Sequence, residues 1–219
     1  MDWLQRVNGY CERLGPEYWA EPVNALTNFA FVIAAFIMWR RLKGPDLGLA
    51  KMLCVVLAMI GLGSYLLHTH AQIWAGLADV LPIIFFIVLY IFAANLGFWR
   101  MPWWSALGLT LMFFPYAALT APIFQKIFFI GDSAAYWPVA LLIATYAILL
   151  RRRLPEIAWR LGIGAGVLVV SLILRSLDDI LCPTLPVGTH FLWHLLNSIM
   201  LGWMIEIYRL HVFTNRKSE

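Results

Sequence analysis

Polar and charged positions along this chain gather in short breaks between long apolar runs, which fall at about 25–42, 48–68, 79–98, 103–121, 134–150, 160–177 and 190–210. The runs lack the strict alternation of a half-buried strand and the single apolar stripe of a helix that packs one face on a soluble core. Each is close to the roughly 20 apolar residues that carry a helix across the hydrocarbon of a bilayer. The pattern predicts an all-α membrane protein, a seven-transmembrane helix bundle that makes a single domain of residues 1–219. Residues 1–24 form an extramembrane N-terminal segment, and the breaks between runs leave no room for a separate soluble domain. Asp2, Arg6, Glu12, Arg13, Glu17 and Glu21 precede the first run. That start does not read as a signal peptide, so the first helix is expected to be kept.

Composition narrows the class. Apolar residues make up 62% of the chain and charged ones 13%, against roughly 45–50% and 25% in soluble domains. A soluble enzyme, a disordered chain and a disulfide-dense secreted scaffold are all excluded. The net charge of +4 does not signal nucleic acid, because no basic face with interleaved aromatics appears. The basic residues sit between the runs, where they report topology. With seven spans, Arg40, Arg41, Lys43, Lys51, Arg100, Arg151, Arg152, Arg153, Arg160, Arg209, Arg216 and Lys217 fall on one side, and only Arg6, Arg13, Lys126 and Arg175 on the other. Cytoplasmic segments are enriched in Lys and Arg, so the N-terminus is predicted outside and the C-terminus in the cytoplasm. Trp39, Trp99, Trp103, Trp104, Trp137, Trp159 and Trp203 lie near span ends, as an interfacial belt places them. There is no internal repeat and no matched pair of interrupted helices of the transporter kind.

An ionisable residue inside a span is costly unless it faces the bundle interior or a wet cavity, so each one is a candidate site residue. His68 ends the second run, with Ser64 one turn earlier on the same face, and Asp79 opens the third. His190 and His194 open the seventh at i, i+4, the spacing by which two imidazoles on one helix hold one metal ion, and Asn197 and Ser198 continue that face inward. The second run ends on the non-cytoplasmic side, and the third and seventh begin there. Ser64, His68, Asp79, His190 and His194 therefore share one membrane depth. Three neutral imidazoles with one position left open are the ligand set of a catalytic zinc site, whereas structural zinc sites are closed and usually rich in cysteine. The residues point to a hydrolytic metal site. Other polar residues have plainer readings: His70 and His211 as interfacial groups, Asp178 and Asp179 in a wet outer loop, Glu206 as a local partner of Arg209, and Cys54 as a small apolar filler. Cys11 and Cys182 both fall on the non-cytoplasmic side, where oxidation is permitted.

The segments G-x-G-S-Y-L-L-H ending at His68, A-D-V-L-P around Asp79 and H-F-L-W-H from His190 to His194 resemble the alkaline ceramidases. These are seven-span membrane hydrolases of a superfamily that also holds the adiponectin and progestin receptors and the haemolysin III proteins. The resemblance covers the chain from Tyr10 to the end of the seventh run and is to a bacterial-type member. It implies zinc held by His68, His190 and His194, with Asp79 and Ser64 as the acid and hydroxyl that attend the attacking water. It implies hydrolysis of the amide bond of ceramide or a related N-acyl lipid, with the acyl chain in the apolar bundle interior. A multi-pass protein of the bacterial inner membrane is implied, its active site toward the non-cytoplasmic side, as is a Cys11–Cys182 disulfide.

The same family binds calcium through an N-terminal segment similar to Tyr10-Cys11-Glu12 and Ala20-Glu21-Pro22-Val23-Asn24. The pattern is incomplete here, since Asn8 and Gly9 stand where the family has an acid. Glu12 and Glu21 remain, either as oxygen ligands for calcium, which takes six to eight, or as a plain polar cap. A lipid substrate and the membrane are the partners implied, and no protein partner can be inferred. Two other readings stay open: a receptor-like or haemolysin III-like protein with a structural zinc, and a metal transporter. A transporter needs ligands spaced across the membrane, whereas these candidates sit near one face.

Overall fold

Hydrocarbon offers a backbone no hydrogen-bond partners, so each apolar run closes its own bonds as a helix. The computed structural model describes residues 2–7, 9–44, 47–127 and 129–216. Asn8 and Lys217, used above for the calcium pattern and the charge count, lie outside the described residues. Among the described residues the structure is helical apart from one isolated bridge between Arg6 and Gln72. Helix α1 (Pro22–Thr27) runs into α2 (Phe29–Arg41), followed by α3 (Gly48–His70), α4 (Ile73–Gly97), α5 (Trp103–Leu111) and α6 (Phe113–Gln125). A 3-10 turn at Gly131–Ala135 then leads into α7 (Trp137–Leu150), α8 (Pro155–Ser176), the short α9 (Asp178–Leu181) and α10 (His190–Arg216). Six stretches are long and apolar enough to cross a membrane: Pro22–Arg41, Gly48–His70, Ile73–Gly97, Trp103–Gln125, Ser133–Leu150 and Pro155–Ser176. Helix α10 is the longest, at 27 residues, yet its composition does not qualify it, because it carries His190, His194, Asn197 and Ser198 in one half and Glu206 and Arg209 in the other.

Two boundaries differ from the sequence expectation for identifiable reasons. Helix α4 starts at Ile73, six residues before the expected 79 (79 − 73), so Asp79 lies inside the helix and not at its mouth. The first amides of a helix have no intrahelical acceptor. Here the N-terminal segment supplies them, with Ile73 N donating to Gln5 O at 3.1 Å and Trp74 N to Trp3 O at 3.3 Å. Helix α8 starts at Pro155 and not at 160, since Glu156 and Arg160 pair one turn apart at 2.7 Å and make its polar first turn helical.

The bundle is assembled around α3. Its neighbours α1, α2, α4 and α10 pack on it, and Leu53, Leu57 and Ile60 meet Phe86, Leu161, Leu172 and Ile205 in the core, with the Cys54 thiol buried among them. Two glycines set how closely the neighbours approach. A Cβ at Gly61 would lie 2.8 Å from Asn28 O, and one at Gly63 only 2.0 Å from Ala78 O and 3.1 Å from Asp79 N. Gly63 thus lets the α4 backbone lie against α3 at the turn that carries Asp79. Gly63→Ala is expected to cost about 1–3 kcal/mol through overpacking. The check is the thermal midpoint of the detergent-purified protein, with Gly162→Ala, where a Cβ meets nothing within 4 Å, as the unaffected control.

Several polar groups elsewhere in the bundle join helices to one another. Asn95 on α4 accepts from the Tyr146 hydroxyl at 2.6 Å and donates to Thr110 Oγ1 at 3.3 Å, joining α4, α5 and α7 far from the histidines. Glu206 pairs with Arg209 at 2.7 Å, as expected, and also reaches Arg41 on α2 at 2.8 Å. His211 Nε2 lies 3.1 Å from Gly97 O and holds the end of α10 to the end of α4.

Candidate metal centre

The start of α10 is placed by a residue that the sequence reading assigned to open loop. Asp178 is buried, with 4% of its surface exposed. Its Oδ1 accepts from Thr189 N at 2.7 Å and His190 N at 2.8 Å, and its Oδ2 from Cys11 N at 3.0 Å. A carboxylate at a helix N-terminus meets both the free amides and the positive end of the helix dipole, so Asp178 fixes where His190 begins the helix. Gly188 makes this possible. Its φ is +68°, and a Cβ there would lie 2.1 Å from Asp178 Oδ1 and 2.9 Å from Cys11 Cβ. Cys11 and Cys182 are bonded, with an S–S distance of 2.16 Å and Cα atoms 5.5 Å apart, which ties the N-terminal segment to the chain ahead of α10.

His68 from the end of α3 and His190 and His194 from α10 then converge. Each is at most 2% exposed, and one ring nitrogen from each lies within 4.8 Å of the others. His68 Nδ1 faces Glu21 Oε2 at 2.5 Å, and a carboxylate can only accept, so that nitrogen carries the proton. His194 Nδ1 lies 2.9 Å from Thr27 Oγ1, whose own hydrogen has carbonyl acceptors at Val23 O and Asn24 O, so Nδ1 of His194 is also the donor. Both rings therefore turn an unprotonated Nε2 inward. His68 Nε2, His190 Nδ1 and His194 Nε2 are buried without any hydrogen-bond partner. Three buried ring nitrogens left unmatched side by side are costly unless something binds them. Three neutral imidazoles suit zinc, with a fourth position open, so the donor set fits the metal that the resemblance implies.

Asp79 faces this cluster from α4. Ser64 and His68 on α3 lie beside its carboxylate, and Arg175 on α8 is within electrostatic reach of it. The five residues predicted to share one depth are thus brought together. Asn197 and Ser198 are not part of the group: Asn197 donates to Ser171 Oγ at 2.8 Å, tying α10 to α8, and Ser198 donates to Leu195 O on its own helix. His70 contacts Tyr18 and Trp74 at the rim.

The two acids expected to bind calcium are engaged by protein donors. Glu12 accepts from Val23 N at 2.7 Å and Asn24 N at 2.8 Å, which caps α1. Glu21 takes the Arg13 guanidinium on Oε1 and His68 on Oε2. Burial alone would raise its pKa, but the hydrogen bonds and charges of His68 and Arg13 hold it below the usual carboxylate value. Arg13 is itself 7% exposed and donates to His68 O at 2.8 Å and Gly15 O at 3.2 Å. Glu21 is therefore a residue that orients a histidine, as the outer partners of metal-binding imidazoles do.

Three residues around the cluster carry roles that sequence reasoning missed or only touched. The Tyr10 ring lies over His190 at 3.9 Å and His68 at 4.8 Å, covering the cluster from the N-terminal side. Burial raises its hydroxyl well above the usual pKa, so it stays a neutral phenol. Arg175, at the end of α8, stacks on Tyr136 at 5.5 Å and Trp193 at 5.7 Å. Arg175 and Arg13 entered the sequence reading only as charges in a topology count. The aromatic interleaving around Arg175 is visible only once α7, α8 and α10 are side by side.

A family model described as Ceramidase matches residues 9–219. No curated protein matches the chain significantly.

Proposed function

The chain belongs to the ceramidase family, and from that premise we propose that it is a zinc-dependent hydrolase that cleaves the amide bond of ceramide or a related N-acyl lipid within the membrane. The observation that carries the metal is the set of three buried, unpartnered ring nitrogens on His68, His190 and His194. These residues hold the zinc. When bound, it supplies a Lewis acid that polarises the scissile carbonyl and acidifies water. Asp79 accepts the proton of the attacking water and returns it to the leaving amine nitrogen. Ser64 orients that carboxylate and offers its hydroxyl to the carbonyl oxygen as it gains charge. Glu21 and Thr27 hold the rings of His68 and His194 in the tautomers that leave Nε2 free.

The membrane placement extends the same reading. In this reading α10 is the seventh span, which the burial of His190, His194, Asn197 and Ser198 supports, and the excess of Lys and Arg on the opposite side supports a non-cytoplasmic N-terminal segment and metal centre in a single domain of 219 residues. The apolar side chains of Phe31, Ile60, Ile83, Phe86, Trp193 and Met200 line a small cavity, with the Phe31 ring 6.4 Å from that of His194, and we infer that the acyl chain lies among them by displacing some of these side chains.

The experiment is palmitate release from N-palmitoylsphingosine by detergent-purified protein, followed by mass spectrometry, together with elemental analysis. Fatty acid release that stops on chelation and returns with zinc is the expected result. A protein that carries no zinc after purification in its presence, or that holds zinc and cleaves no N-acyl lipid, contradicts the proposal.

A further inference from the structure

Beside the metal centre, toward the loops, lies a second cavity of about 270 Å³ whose wall includes Tyr10, Ser133, Arg175, Ser176 and Asp178. It differs in kind from the apolar cavity, and the two meet at Tyr136 and Trp193, which line the apolar one and stack against Arg175. If a lipid amide is held at the histidines with its acyl chain toward the apolar residues, its amine half is directed to the polar cavity. Arg175 is the cation there. It donates to Ser133 Oγ at 2.9 Å and lies near the Tyr10 hydroxyl, and no carboxylate among the described residues is within ion-pair distance of it. Five donors in a planar fork are thus opposed by two neutral hydroxyls.

Among the described residues, no acid around the cavity forms an ion pair with this guanidinium. Glu21 is matched by Arg13, and Asp178 is covered by three backbone amides. Asp79, beside Ser64, is within electrostatic reach of Arg175 but beyond ion-pair distance, and Asp179 is exposed at the rim, where water screens it, with contacts of its own. A guanidinium stacked on two aromatic faces is held in one orientation, and its fork matches the two oxygens of a carboxylate or phosphate.

We propose that Arg175, with Ser133 and Tyr10, forms a subsite for an acidic group on the amine half of the substrate, so that the preferred substrates are anionic N-acyl lipids carrying a carboxylate or phosphate close to the amide. The proposal rests on the hydrolase reading above for the placement of the amide. It makes Arg175 a specificity-determining residue, acting on substrate affinity without taking part in the bond cleavage.

The test compares matched pairs on the zinc-loaded, full-length protein in detergent: N-palmitoylglycine against N-palmitoylethanolamine, and ceramide 1-phosphate against ceramide. Affinity is measured by isothermal titration and palmitate release in parallel. Wild type is expected to bind the anionic member of at least one pair roughly 10–100-fold more tightly, the range of a charge-assisted hydrogen-bonded contact. The pair that responds identifies carboxylate or phosphate. Arg175→Gln should abolish the preference at unchanged zinc content, and Arg175→Lys should keep part of it. Equal affinity within both pairs for wild type overturns the inference without needing a variant, as does a preference that survives in Arg175→Gln. Equal binding of neutral and anionic lipids, with palmitate released from both, would sink this subsite and leave the hydrolase standing. An anion preference with no release from any lipid would sink the hydrolase and leave a binding site.

Discussion

Asp79→Asn is expected to lower amide hydrolysis about 10²–10⁴-fold, the usual contribution of a positioned general base, while zinc content stays that of the wild type. The asymmetry follows from the placement of Asp79. It comes from α4, faces the cluster across the Gly63 contact and is not among the three residues whose unpartnered nitrogens converge. An amide fills the same space and can still take the Ser64 hydroxyl as a donor, so neither the helix contact nor the histidines should move. It cannot accept a proton from water. The measurement is single-turnover palmitate release alongside elemental analysis of the same sample. A variant with near-normal turnover would show that the proton acceptor is another group. Loss of zinc together with activity would mean that Asp79 supports the ligands and not the chemistry.

The parts of this fold that were legible in the sequence are those that depend on local periodicity. Long apolar runs announce helices, and His190 and His194 at i, i+4 announce a shared face, because both follow from residues within two turns of one another. The convergence of His68 with them needed only the count of spans. Other assignments failed where a long-range contact changes a residue's character. Asp178 next to Asp179 looks like a wet loop, and becomes a buried cap only because Gly188 and the Cys11 amide fold over it. Arg13 looks like one of several charges ahead of the first helix and Glu21 like a calcium ligand or polar cap, and their pairing against His68 is hidden because it depends on how the N-terminal segment lies across the α3–α4 turn. The late start assigned to α4 has the same origin, since the carbonyls of Trp3 and Gln5 that accept its first amides belong to a segment some 70 residues earlier in the chain (73 − 5 = 68, 74 − 3 = 71). The shortfall in apolar character of α10 has the same origin, since His190 and His194 serve the cluster, Asn197 reaches α8 and Glu206 reaches Arg41 on α2, all contacts with neighbouring helices and not with lipid.

The arginine in that N-terminal segment leads to the other large expected effect. Arg13→Met should destabilise the protein by about 3–5 kcal/mol, because it leaves a buried carboxylate without its compensating charge. The lost attraction is the smaller part of this cost. Arg13→Met combined with Glu21→Gln should therefore recover most of the stability, since the buried anion is gone and a glutamine oxygen can still accept from His68 Nδ1. Zinc affinity, measured by competition with a chelator, should follow the proton acceptor on His68: retained within a few-fold in the double variant, and about 10–100-fold weaker in Glu21→Ala, where that acceptor is removed. The same geometry bears on calcium. The guanidinium lies on Glu21 with His68 O, Gly15 O and Glu17 O as its other acceptors, so a fixed cation already stands where a divalent ion would need that carboxylate. The thermal midpoint of the wild type should accordingly be flat across a calcium titration. A calcium-dependent rise that disappears in Glu21→Gln would show instead that the ion displaces Arg13 and that the acids ahead of the first helix are its ligands. If the wild type is flat and the single Arg13→Met variant gains a calcium response, the carboxylate is competent for the ion and the arginine is what excludes it.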